Sequence, residues 1–160
     1  MATYNRDNGF NESDLLHYGY DHIDLGIDIL KNSCYPGYYA SAGYLLQLGS
    51  EIVLKAWILF LHNEFKDIHN LTCLCKEISA LNEILDNYDI EILKLLDKFY
   101  TLRYPKPGDT CEIGQDDLPK IEHLLSKIWQ NMPPELHRFY NELTYNKKGG
   151  QVVMYRKSGD

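Results

Sequence analysis

Ala42-Gly43-Tyr44-Leu45-Leu46-Gln47-Leu48-Gly49-Ser50-Glu51-Ile52-Val53-Leu54-Lys55-Ala56-Trp57 is apolar on most of a helical circumference. Leu45, Leu48, Ile52, Ala56 and Leu59 make one apolar stripe at helical spacing, and Leu46, Val53, Trp57 and Phe60 make another. Gln47, Glu51, Lys55 and His62 gather on one narrow polar stripe. Such a helix must be covered on most sides. The spacing predicts a helix from about Tyr39 to His62, at the centre of a bundle, at a subunit interface, or both.

The flanking segments have the same period. Asn11 or Ser13 can cap a first helix running to about Ser33, where Tyr35-Pro36-Gly37 breaks the pattern. Beyond a turn at Asp67 to Asn70, a short helix is expected from Leu71 to about Leu81. Another is expected from about Ile90 to Leu102, ended by Pro105 and Pro107. A fifth spans about Asp116 to Gln130, with Pro119 tolerated in its first turn. A sixth holds Leu136 to Leu143, and Val152-Val153-Met154-Tyr155 reads as an isolated extended arm. The expectation is an all-α, antiparallel bundle of about five to six helices with a short C-terminal extended arm. Residues 1–11 form a flexible lead, 12–135 the helical domain, and 136–160 a basic helix and tail.

Composition narrows the function classes. A chain of 160 residues with 44% hydrophobic side chains can bury a core without disulfides or metals. A net charge of −7 opposes non-specific binding to nucleic acid or anionic membranes. From Leu136 onward, however, five Lys/Arg stand against two acidic side chains, so only the tail can meet phosphate by bulk charge. The N-terminus is polar from Thr3 to Asn8, unlike a secretory signal, so a cytoplasmic location with reduced thiols is expected. No run of eighteen apolar residues is present, and no membrane span is expected. Cys73 and Cys75 lack a second ligand cluster and read as buried structural thiols. His17 and His22, like His62 and His69, do not form a zinc-binding pair. No glycine-rich phosphate loop and no Ser or Cys nucleophile pattern occurs, so neither metal nor cofactor is called for.

Three motifs follow one another along the chain. They are the central helix with Glu51 and Leu54-Lys55-Ala56, then His69-Asn70-Leu71, then Tyr100-Thr101-Leu102-Arg103-Tyr104-Pro105. In this order and spacing they resemble the HEPN family (higher eukaryotes and prokaryotes nucleotide-binding), over roughly Leu15 to Ile128. The resemblance implies an antiparallel helical bundle, usually dimeric, with a cleft between or near paired subunits. Two activities occur in the family: metal-independent RNA cleavage, often in toxins or anti-phage defence, and non-catalytic binding of nucleotides or proteins. The RNases share an Arg followed by a His with four to six residues between. Here Arg103 is followed by Tyr-Pro-Lys-Pro-Gly-Asp, and the next histidine is His123.

Each candidate site residue has a functional and a structural reading. The Lys55 ammonium could meet a phosphate while Glu51 fixes its rotamer. Structurally, the two are an i,i+4 pair on an exposed face, contributing a few tenths of a kcal/mol. His69 is a catalytic candidate or a residue that fixes its turn. Arg103 is a bidentate phosphate ligand or a cation at a helix C-terminus. Tyr104 can stack on a base, but it is one of thirteen tyrosines. The sequence therefore favours a homodimeric, non-catalytic module that binds a nucleotide, RNA or a protein partner. The alternatives are a divergent RNase using Arg103 and His69, and an antitoxin-like protein that docks another chain through its apolar stripe.

Overall fold

The computed structural model describes residues 1–32, 36–108 and 110–148. Among them are seven α-helices and one two-stranded antiparallel sheet at the edge of the bundle. The helices are α1 (Glu12–Asn32), α2 (Tyr39–His62), α3 (Leu71–Lys76), α4 (Ser79–Ile84), α5 (Asn87–Asp97), α6 (Leu118–Gln130) and α7 (Pro134–Lys148). The strands are β1 (Thr3–Asn5) and β2 (Glu64–Lys66).

The α2 helix is the central one, as its two apolar stripes require. Leu46, Leu54, Ala56 and Leu59 are wholly buried, and Trp57 and Ile58 are nearly so. It packs along α1 on one side and against α3, α5 and β2 on others. The α1 and α2 backbones approach closely because glycine lines the seam. A Cβ on Gly49 would lie 2.5 Å from the Gly19 carbonyl oxygen, and one on Gly19 would lie 2.9 Å from that of Gly49. Farther along the helix, Phe99 fills the space a Gly43 side chain would take, 2.5 Å from such a Cβ.

Several boundaries differ from the sequence expectation. The segment expected to be one helix from Leu71 to Leu81 is two, because Ile78 turns extended (φ −113°, ψ 100°) between them. The α5 helix starts at Asn87 rather than Ile90, since Asp86 and Asp89 form a reciprocal capping box. It ends at Asp97 and continues as a 3₁₀ turn over Lys98–Arg103. The lead expected to be flexible contains β1, which pairs Thr3, Tyr4 and Asn5 with Lys66, Phe65 and Glu64. The expected C-terminal arm lies outside the described residues. Cys75 is buried, whereas Cys73 is exposed, because residues two apart on a helix face different ways. Burial, reinforced by the nearby Asp97 carboxylate, pushes the Cys75 thiol up to about 12.

One helix, α2, is long and apolar enough by length and composition to cross a bilayer, with a mean hydropathy of 1.5. The expectation that no segment would qualify rested on uninterrupted apolar runs, which Glu51 and Lys55 break. Within the bundle most of this helix is buried against its neighbours, as the core helix of a packed domain is.

Candidate functional site

The polar stripe of α2 does not face solvent. Gln47 is wholly buried, Glu51 is 5% exposed and Lys55 is 7% exposed. The exposed-face reading of the Glu51–Lys55 pair is therefore corrected. The segment after α2 folds back over it. Asn63 adopts the left-handed conformation (φ 62°) and ends the helix, β2 runs along β1, and residues 67–70 then turn into α3. Asn70 caps α3 by accepting from the Cys73 backbone N–H at 2.8 Å. The capping task thus falls to Asn70, and the His69 ring is free to point at α2.

Glu51 is the acceptor at the centre. Its Oε1 accepts from the Lys55 ammonium at 2.7 Å and meets His69 Nδ1 at 2.9 Å. Its Oε2 accepts from Gln47 Nε2 at 3.3 Å, and the same amide donates to the His69 carbonyl at 3.0 Å. His69 Nε2 in turn faces Asp67 Oδ1 at 3.3 Å. Both ring nitrogens therefore look at carboxylate oxygens. The Phe65 ring lies across the Lys55 ammonium, 5.7 Å from its centroid. Asp97 accepts from the Leu71 N–H at 2.8 Å. Burial, with the Glu51 charge adding to it, holds the Asp97 carboxyl above the usual carboxylate range.

The imidazole of His69 stacks on Tyr100, with centroids 4.7 Å apart and planes 15° apart. The Arg103 guanidinium lies near the Tyr100 phenol as well. The adjoining Tyr44, Tyr100 and Tyr104 hold Arg103 above its ordinary value. Tyr104 is 78% exposed at the rim. The structure thus links Glu51, Lys55 and His69 directly, and brings Arg103 to them through Tyr100. His62, the fourth member of the sequence stripe, stands apart with Nε2 3.2 Å from the Glu77 carbonyl.

Sequence spacing does not single out Tyr100, Phe65 or Asp67. For Tyr100 a signal exists: in a 3₁₀ turn, residues three apart lie one above the other, and Tyr100 precedes Arg103 by three. Phe65 and Asp67 reach the site only through the chain reversal at Asn63.

Fold and site together define an α-helical bundle whose central helix carries a buried Gln–Glu–Lys stripe, completed by a histidine turn and by an aromatic-arginine turn. A family model described as HEPN domain matches residues 27–128, well over half of the chain. The chain belongs to the HEPN family. No curated protein and no solved structure matches it significantly.

Proposed function

We propose that this HEPN domain is a non-catalytic module that binds a phosphate-bearing ligand, a nucleotide or RNA, at Arg103 and Tyr104. The observation that carries the reading is Tyr100, which is stacked on His69 and lies beside the Arg103 guanidinium. Glu51 and Gln47 hold His69, Lys55 holds Glu51, His69 backs Tyr100, and Tyr100 stands beside the guanidinium. A preset guanidinium fork loses less freedom when it meets a phosphate. The exposed Tyr104 ring supplies a face for a base beside it.

A divergent RNase remains the second reading, since His69 and Arg103 share Tyr100 as a neighbour. RNA cleavage needs a group free to take the 2′-hydroxyl proton. The two nitrogens of His69 are engaged by Glu51 and Asp67, which favours positioning over proton transfer. The test measures nucleotide and short-RNA affinity together with cleavage of a mixed RNA pool. The expected outcome is binding without cleavage, weakened about tenfold in Arg103→Ala, the loss of one charge-assisted contact. Cleavage abolished by both Arg103→Ala and His69→Ala would move the assignment to the RNase.

We also infer a homodimer, in preference to docking of an unrelated protein. Tyr18 and Leu25 are more than half exposed on α1, and Leu45, Leu48 and Ile52 stay partly open on α2. These side chains flank the glycine seam, and a second copy presenting the same stripes would cover them.

A further inference from the structure

The N-terminal residues pack on Phe65, the ring that lies across the Lys55 ammonium. Tyr4 stands opposite Phe65 in the strand register, with ring centroids 5.6 Å apart. Phe10 meets Phe65 edge-on at 5.2 Å and Tyr4 at 5.4 Å. Arg6 ties this strap down by pairing with Glu12 at the start of α1 and by donating to Asn63 at the end of α2. The Ala2 carbonyl accepts from the Asp67 N–H at 2.9 Å. The strap therefore clasps the same Phe65 whose ring lies across the Lys55 ammonium.

We infer that residues 1–11 form a gate over Lys55. Docked, the strap gives Phe65 two ring partners and keeps the Lys55–Glu51 pair dry. Lifted, it leaves Phe65 without those partners and opens the ammonium to solvent, and so to an anion. The strap can lift without unfolding the bundle. A pair of three-residue strands is marginal by itself, and a segment held by few contacts opens at a small fraction of the global free energy. The gate concerns access to Lys55 and holds whatever ligand Arg103 takes.

The experiment is amine acylation of the full-length protein, read residue by residue by peptide mass spectrometry. Exposed Lys76 and Lys94 serve as internal references. In the wild type, acylation of Lys55 is expected to be about tenfold or more slower than that of the references, as protection by a local opening step requires. In Tyr4→Ala/Phe10→Ala it is expected to rise several-fold, with helix content unchanged by circular dichroism. Lys55 as reactive as Lys76 in the wild type would overturn the gate. So would an unchanged Lys55 in a variant whose strap amides exchange freely. Should the variant fail to fold, the wild type in low denaturant decides. Lys55 acylation should then track amide exchange of residues 3–5, and tracking the exchange of the α2 core instead would overturn the proposal.

Discussion

Glu51 accepts from Lys55 and Gln47 and pairs with His69, so its loss strands several polar groups at once. Replacing it by leucine leaves an ammonium 7% exposed with no carboxylate beside it. Breaking a buried ion pair from one side costs about 3 kcal/mol or more. Urea unfolding of Glu51→Leu should show a loss of that order, and Glu51→Leu/Lys55→Met should recover most of it, since removing both charges removes the unmet partner as well. The pairing itself is legible in the sequence from the i,i+4 spacing. The burial is not, because the covering atoms come from Phe65, His69 and Tyr100, and no period within one helix reports on chain that returns from elsewhere. For the same reason Arg103 and His69 could be named from motif order, while the Tyr100 ring that joins them could not.

Elements with strong periodicity are where sequence and structure agree best. The α2 helix runs from Tyr39 to His62, as its two stripes predict. The break between α3 and α4 carries no Gly or Pro, so nothing in Lys76-Glu77-Ile78 announces it. Strands of three residues are too short for alternation to show. The glycine seam was also silent, since an isolated glycine in a helical pattern reads only as a weak helix former. Its cost is testable. Gly49→Ala sets a methyl carbon against a backbone oxygen that cannot rotate away, and overpacking of this kind costs about 1–3 kcal/mol. Thermal unfolding should fall clearly for Gly49→Ala and little for Gly37→Ala, where a Cβ meets nothing within 4 Å. At the start of α5, the Asp89 backbone N–H, together with Lys127, holds the Asp86 carboxyl below its ordinary 3.8. A lowered carboxyl favours the folded state above its unfolded value, and that contribution disappears as pH falls through the folded value. Asp86→Ala should therefore melt lower than wild type at neutral pH, with the gap narrowing in scans below pH 3.8.

At the scale of the whole molecule, the apolar flanks of α1 and α2 and the acidic balance of the chain pull in different directions. A net charge of −7 resists self-association, and burial of Tyr18, Leu25, Leu45, Leu48 and Ile52 favours it. Sedimentation velocity in the micromolar range should show a dimer, and Leu25→Glu should shift it to monomer without loss of helix content. A dimer that tightens as salt rises would identify charge as the opposing force. The pairing of β1 with β2 has a further consequence, for the order in which the chain is made. Tyr4 leaves the ribosome long before Phe65, its partner in the register. At bacterial-to-eukaryotic synthesis rates of about 5–20 residues per second, the strap waits roughly 3–12 seconds for the strand it docks on. During that interval α1 and then α2 emerge with their apolar faces uncovered, and the undocked strap, carrying Tyr4 and Phe10, is free for a chaperone or a neighbouring nascent chain to hold. Residues 3–5 thus join the native structure only after the central helix is complete.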